Sequence, residues 1–444
     1  MIPRGLSAAD IRRRNRSGIL RLIHCHGALA RNDLAAALGL TRASVTILSG
    51  EMLDEGLLEE AGASGPGGKA GRRKIFLRIR PEAGTLIGAG VEPDRLQVLT
   101  TDLAGRVLGV RDIPSRDFAG TDTRPGPGRS EKKRPGAVDR PGGAGPGSGV
   151  PPAEADPGNL PAGADPGNRL AGTVLRTAIE LVGAASLSAA GVAGAGLGVT
   201  GRVDPETGTC LREPRIWNGP VPLAAPLEAA LGVSVSVDNN VRALALGELL
   251  LTETRRKPPP GLLFVKYGPG VGGAWTAGGP PWAGAQNRAG EIGHTLVEAE
   301  GPVCPMCGRR GCLESLVSLS ALRARARGDG RASKAGIQSL LRRLAREDPG
   351  ELSLLAARFA RALGNAIQLL DPSRIALYGL PFRNEDLLRQ IASRVESTGR
   401  PCEIRRSGLD PALPALGGAA LALDRFLEGG GEPGVTKLVT VGGR

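Results

Sequence analysis

Between Gly290 and Glu314 the chain reads GEIGHTLVEAEGPVCPMCGRRGCLE, and this stretch restricts the fold more tightly than any other. One histidine and three cysteines stand at metal-ligand spacing, so the backbone must turn back on itself to bring His294, Cys304, Cys307 and Cys312 around a single ion. Thiolate sulfur and neutral imidazole suit zinc at about 2.0–2.3 Å, and four protein ligands close the site to water, which makes it structural rather than hydrolytic. Cysteines often serve simply as small buried hydrophobes. Three within nine positions, with Gly308 and Gly311 free to form a tight knuckle, point instead to structural Zn2+. Glu291 and Glu314 flank the ligands, which predicts a polar pocket against the metal. Cys25, Cys210 and Cys402 are scattered and are expected to be inert.

The 444 residues suffice for two or three domains with buried cores. Formal charge is +13, and about half of the excess lies in residues 1–80, which hold fourteen Lys and Arg against seven Asp and Glu. A basic first fifth suits a polyanionic partner. Met1 is followed by proline and an arginine-studded helical pattern rather than an apolar leader. The longest uncharged stretch, 181–201, is too rich in Ala, Gly and Ser for a membrane span and reads as a helix end followed by a buried strand. The chain is therefore expected to be cytoplasmic, with no membrane attachment and with reduced thiols that favour metal over disulfides.

The first eighty residues read as three helices and a hairpin. Ile11, Ile19, Leu20, Leu22 and Ile23 give one helical apolar face, Leu34, Ala37 and Leu38 a second, and Gly39 a turn. Thr41 can cap a third helix whose core face is Val45, Leu48, Met52 and Leu53. Leu57 and Leu58 lead into the loop SGPGGKAG and the strand RRKIFLRIR, completing the layout of a winged helix-turn-helix. In that motif the first turns of the third helix enter the major groove, so Arg42, Ser44 and Thr46 are the candidate contacts to double-stranded operator DNA. Arg42 leads them, because a guanidinium bridges guanine O6 and N7. Lys69, Arg72, Arg73 and Lys74 in the wing would neutralise phosphates. A charge run alone is usually a solvated face, and its coincidence with this motif is what points to DNA. His24 and His26 close the first helix, where a surface or helix-terminus role is expected.

From about Ile113 to Ala171 the composition collapses to Pro, Gly, Ala and charge, and ADPGNLPAG at 155–163 is followed by an imperfect copy, ADPGNRLAG, at 164–172. Residues 113–170 read as a disordered insertion. Around it strand-like runs such as LIGAGV, GVAGAGLGVTG and RIALYGLP alternate with helical patterns such as VRALALGELLL, which implies an α/β fold. The expected organisation is a DNA-binding head at 1–80, a ligand domain at 84–112 and 171–426, and a flexible tail at 427–444.

The segment from Gly290 to Glu314 resembles the signature of the ROK family, named for its repressors, open reading frames and sugar kinases. Together with the winged head it is similar to the family's xylose or N-acetylglucosamine repressor type. The resemblance implies the two-lobed ribonuclease H-like architecture shared with actins and sugar kinases, the ligand between the lobes, and zinc on the histidine and three cysteines. It further implies that Gly201, Arg202, Asn239, Glu291, His294 and Glu314 surround a sugar effector, and that the chain forms a dimer or tetramer. The usual family knuckle has one residue between its first two cysteines, whereas Pro305 and Met306 separate Cys304 from Cys307, a spacing itself common at zinc. Sugar hydroxyls need carboxylates and amides that accept and donate in pairs. Each acid also has a plainer role available, pairing with arginines or supporting a zinc ligand.

In the family's kinases the motif matching VDNNVRALALGE has Asn followed by an Asp that deprotonates the attacking hydroxyl. Here the second position is Asn240. An amide takes no proton at neutral pH, so general-base assistance of about 10² to 10⁴ is lost, although Asn240 can still hydrogen-bond a sugar hydroxyl. The kinases also open their first lobe with an Asp and a glycine-rich turn toward the nucleotide. This chain has Glu92, Pro93, Asp94 and Arg95 there; proline removes a donor and added carboxylates repel phosphate. GPGVGG at 268–273 resembles a second phosphate-facing turn, for which a tight turn is the plainer role. The sequence thus predicts a sugar-responsive transcriptional repressor of carbohydrate-use genes without kinase activity. The alternative is an ATP-dependent sugar kinase with an added DNA-binding domain.

Overall fold

Three helices and three short strands build the head. In the computed structural model, which describes residues 7–62, 74–115, 118, 165–182, 191–319, 321–322, 337–397, 399 and 402–432, helix α1 (Ala8–His26) opens on a capping box between Ser7 and Asp10. Helix α2 (Arg31–Leu38) ends at Gly39, whose φ of 63° lies in the left-handed region that glycine adopts freely. Thr41 then caps α3 (Arg42–Asp54), its hydroxyl accepting the Ser44 N–H at 3.1 Å. Strands β1 (Leu29–Ala30), β2 (Leu58–Ala61) and β3 (Phe76–Ile79) pair antiparallel in the order β1-β3-β2. The result is a winged helix-turn-helix. Ile19, Leu20, Leu34, Val45 and Met52 fill its core, whereas Ile11 is 48% exposed, so the apolar face of α1 begins later than expected.

The first lobe holds β4 (Thr85–Val91), β5 (Arg95–Asp102), β6 (Val107–Pro114), α4 (Pro166–Val182), β7 (Val192–Val199), β8 (Arg202–Asp204), β9 (Thr209–Arg212), β10 (Val221–Pro222), α5 (Ala224–Leu231), β11 (Val235–Asn239) and α6 (Asn240–Leu251). Its main sheet runs β11-β7-β4-β5-β6, with β4, β7 and β11 parallel and β5 and β6 antiparallel. The second lobe holds β12 (Leu262–Tyr267), β13 (Val271–Thr276), α7 (Leu313–Val317), α8 (Ile337–Glu347), α9 (Pro349–Leu370), β14 (Arg374–Tyr378), α10 (Glu385–Glu396) and β15 (Glu403–Arg406). Its sheet, β13-β12-β14-β15, repeats the construction of an antiparallel hairpin followed by parallel strands. Parallel neighbours require helical crossovers, which accounts for the strand and helix alternation. This is the two-lobed ribonuclease H-like plan.

A last helix, α11 (Leu416–Glu428), returns to the first lobe and packs on β4 and β7. The approach is backbone to backbone: a Cβ on Gly196 would collide with the Gly418 carbonyl oxygen, so only glycine fits there. None of the described helices is long and apolar enough to cross a membrane.

Two expected boundaries are corrected. Ile113 and Pro114 complete β6, and Pro166–Leu170, inside the expected insertion, begin α4 with Leu170 fully buried. The two copies of the repeat diverge where Leu160-Pro161 becomes Arg169-Leu170, a change that removes a helix-breaking proline and supplies an apolar anchor. Residues 116–117 and 119–164 lie outside the described residues. The tail also starts later than 427, since Leu427 is fully buried and the Gly430 carbonyl accepts a hydrogen bond from Arg16 Nε at 2.9 Å; residues 433–444 lie outside the described residues.

The head is seated on the first lobe. Its core is continuous with Leu86, Leu246, Leu250, Leu423 and Phe426. Arg21 pairs with Asp424 at 2.7 Å, and the His24 ring Nε2 lies 2.8 Å from the Leu250 carbonyl oxygen. His24 is therefore buried at an interface rather than at the surface, because α11 and the end of α6 with the turn Glu253–Arg256 after it cover the end of α1.

Candidate functional site

A cleft of about 700 Å³ opens between the two lobes. Gly201, Arg202, Asn239, Asn240, Glu291, His294 and Glu314, the residues expected around a sugar, all line it. They arrive from the end of β7, the start of α6, the turn holding His294 and the first turn of α7.

Each side chain has a definite local setting. Asn239 caps α6, its Oδ1 accepting the Val241 and Arg242 N–H groups while its Nδ2 donates to the Gly201 carbonyl at 2.7 Å. The amide thus fixes the cleft wall as well as facing the cleft. Asn240 Nδ2 donates to Glu92 Oε1 at 3.0 Å, and the same oxygen lies 2.5 Å from Lys266 Nζ. Glu92 ends the β4 side of a tight β4–β5 turn closed by the Glu92 N–H and Arg95 carbonyl at 2.8 Å, so a short hairpin stands where the kinases carry a phosphate-facing loop. Glu314 Oε2 accepts the Val271 N–H at 2.9 Å, which ties that carboxylate to the GPGVGG turn. A Cβ on Gly270 in that turn would sit 2.7 Å from Glu314 Oε2, so a side chain there would displace the carboxylate.

Several lining residues were not foreseen. Glu213 is 1% exposed and forms a two-pronged pair with Arg215 at 2.8 and 2.9 Å. Lys266, Arg212, Arg288 and Arg309 complete the basic side of the cleft. Nothing in their spacing marks them, because each joins the cleft only through tertiary folding.

The four metal-ligand candidates converge: their donor atoms all lie within 4.8 Å of one another. Cys304 Sγ is 3.7 Å from His294 Nδ1 and Cys307 Sγ is 3.4 Å from Cys312 Sγ. Tetrahedral ligands about 2.3 Å from one ion stand about 3.8 Å apart, so the set fits a metal of zinc's size. Gly308 and Gly311, at φ 73° and 70°, make the turn, and a Cβ on Gly311 would collide with the Glu298 carbonyl oxygen. Burial works against ionisation of Cys307, but hydrogen bonds from Arg309 and from the two neighbouring thiols bring it down to about 6, while burial pushes Cys312 up to about 12. With Nδ1 turned to the cysteines, His294 presents Nε2 to Glu291 Oε2, 3.8 Å away. Burial pushes the Cys210 thiol to about 12 and Cys402 to about 11, in keeping with unreactive thiols.

On the head, Arg42 and Thr46 are exposed on the first turns of α3 and Ser44 is half-buried. Thr46 donates its hydroxyl to the Arg42 carbonyl and Ser44 shares a hydrogen bond with Thr41, so both keep acceptor capacity outward. Lys69, Arg72 and Arg73 lie outside the described residues, and Lys74 pairs with Asp33 at 3.3 Å.

Comparison with known proteins places this arrangement. A putative xylose repressor of Caldicellulosiruptor is 26% identical over 314 residues, covering 71% of this chain and 66% of its own length. The chain thus spans just under two thirds of that relative. An N-acetylmannosamine kinase of Vibrio cholerae is 38% identical over 129 residues, 29% of this chain and 43% of the kinase. The crystal structure of a ROK family transcriptional regulator, homologous to the E. coli MLC protein, superposes with a TM-score of 0.71 at 20% identity, covering 95% of this chain and 98% of its own, which shows a shared fold. The model of the ROK family matches residues 164–425, more than half of the chain. The chain belongs to the ROK family.

Proposed function

We propose that this protein is a sugar-responsive, DNA-binding repressor of carbohydrate-use genes, and that it does not phosphorylate the sugar it binds. The observation that carries this reading is the pairing of an exposed α3 surface with a cleft whose general-base position is an amide, Asn240, held by Glu92. An amide cannot take up the hydroxyl proton, and the carboxylate that holds it, Glu92, is paired with Lys266. The relative named as a putative xylose repressor supports the same reading, its match covering 71% of this chain against 29% for the kinase.

The sugar's hydroxyls would meet Glu291, Glu314, His294, Asn239, Asn240 and Arg202 with the Gly201 backbone. Zinc, held by His294, Cys304, Cys307 and Cys312, supplies rigidity: a metal at Nδ1 leaves Nε2 as a fixed N–H donor beside Glu291. On the head, Arg42, Ser44 and Thr46 would face the operator's major groove, with Lys69, Arg72 and Arg73 on the flanking phosphates.

Coupling needs a sugar that binds one lobe arrangement better than another. Helix α6 touches both ends of that link. Asn239 and Asn240 open it at the cleft, and Leu246 and Leu250 close it in the core shared with the head. A tilt of α6 therefore moves α1 with it. Paired heads in a dimer or tetramer must sit about 34 Å apart or a multiple of it, so a small rotation takes them out of register.

Genome-wide mapping of bound DNA supplies the operator; fluorescence anisotropy on that duplex, with and without sugars, tests the response. A sugar-dependent change in operator affinity is expected. Sugar-dependent ATP turnover above about 1 s⁻¹, within the usual enzyme range, would reverse the reading in favour of a kinase.

A further inference from the structure

The cleft carries more positive charge than its own carboxylates can balance. Each of the four is already engaged. Glu92 pairs with Lys266, Glu213 with Arg215 through both oxygens, Glu314 with the Val271 N–H, and Glu291 faces His294. Arg202, Arg212 and Arg288 line the same cleft and form no ion pair among the described residues.

Two features of Arg202 and Arg212 single them out. They are register partners on the antiparallel β8–β9 ladder, at the point where its register shifts between Arg202 and Val203. Like charges in that position repel, and the pairing persists at a cost unless an anion lies between them. In addition, Arg202 Nε is closed off from solvent and has no hydrogen-bond partner among the described residues. A buried donor left unmade costs about 1–3 kcal/mol, more for a charged group, so a shift of the guanidinium toward an acceptor in the cleft is favoured. A neutral hydroxyl would satisfy the donor without relieving the charge. A phosphate or carboxylate does both, and guanidinium pairs bind such groups through parallel N–H donors.

We propose that Arg202 and Arg212, with Arg288 at the rim, form an anion seat, and that the effector is an acidic sugar: a sugar phosphate or a sugar carboxylate. This rests on the sugar-responsive reading above and narrows its ligand class. Polyol recognition stays with Glu291, His294 and Glu314, while the charged group lies toward the β8–β9 hairpin.

The test is isothermal titration calorimetry of the full-length, zinc-loaded protein with glucose, xylose, glucose 6-phosphate, glucuronate and inorganic phosphate. Binding of glucose 6-phosphate or glucuronate at least about thirtyfold tighter than glucose is expected, with Arg202→Gln/Arg212→Gln abolishing that preference. The arm that binds says whether phosphate or carboxylate is the group read. Tight binding of glucose or xylose that the double variant leaves unchanged overturns the seat, as does binding of inorganic phosphate alone. Arg212→Gln by itself, at an exposed position, guards against a folding defect in the double variant. Operator binding measured in parallel separates the two claims: an acidic sugar that binds without changing operator affinity overturns the repressor reading and leaves the seat standing.

Discussion

Glu92 and Lys266 meet across the floor of the cleft, Oε1 to Nζ at 2.5 Å, one from the end of β4 in the first lobe and one from β12 in the second. Both side chains are largely buried, at 13% and 15% exposed, so removing either one would leave the other's charge buried and unpaired. Asn240 lies against the same carboxylate.

That geometry predicts the outcome of restoring the kinase-like acid. Asn240→Asp would set a second carboxylate about 3 Å from Glu92, with one lysine to serve both. A loss of roughly 1–3 kcal/mol in stability is expected, with no gain of ATP turnover. Urea denaturation and a coupled ATP assay with hexoses check it. Adding Glu92→Gln should recover most of the loss, because the repulsion is between those two positions. Full-strength sugar phosphorylation by the single variant would show that the amide alone held catalysis back.

Metal removal should be felt in the cleft as well as in the knuckle. Cys307 and Met306 line the cleft while Cys307 also faces Cys312, so ligand and pocket share one turn of chain. Free zinc at a thousandfold excess over its Kd contributes about 4 kcal/mol to the folded state. Chelation, or Cys307→Ser, is expected to release one zinc per chain, lower Tm and weaken the sugar response. Metal analysis with thermal denaturation checks this, and a preparation that keeps its Tm without metal would remove the structural role.

How much was readable in the sequence follows physical lines. The metal ligands stood out because they lie within nineteen positions of one another and their chemistry is rare, and the head stood out because its caps and turns are local. Glu92 and Lys266, 174 residues apart, share no pattern that a linear reading detects, and Arg212 and Arg288 enter the cleft only when distant strands are assembled. Leu246 and Leu250 belong in the sequence to one helical pattern among several, and only tertiary packing turns them toward the head. Composition misled at Pro166–Leu170, where one buried leucine and a missing proline outweigh a glycine- and proline-rich context.

Recognition by α3 predicts two distinguishable effects. Arg42 is exposed at the first position of the helix, so Arg42→Ala should cost about 1–3 kcal/mol on the operator and little on random duplex, relaxing specificity at one base pair. Replacing Lys69, Arg72 and Arg73 together should weaken both duplexes alike and flatten the salt dependence, by nearly one unit of log-log slope for each phosphate left without its cation. Anisotropy titrations at several salt concentrations separate the two. Equal effects of Arg42→Ala on both duplexes would reassign it to the backbone.

The seating of the head should depend on pH through His24. Burial holds its imidazole below the ordinary histidine range, the hydrogen bond to the Leu250 carbonyl opposes this only in part, and Arg255 and Arg21 nearby also disfavour the cation. The folded protein therefore takes up this proton at a lower pH than the unfolded chain. Stability from the contact is complete above about pH 6.5, the ordinary histidine value, and is lost as pH falls from there through the depressed folded value. Thermal denaturation at pH 5.5 and 7.5 should show a smaller acid-induced drop in His24→Gln than in the natural protein, since glutamine can donate to the same carbonyl without gaining charge. Any acid-induced loss of metal acts on both proteins equally, so the difference between them isolates His24. An acid-induced drop identical in the two would place the pH dependence elsewhere.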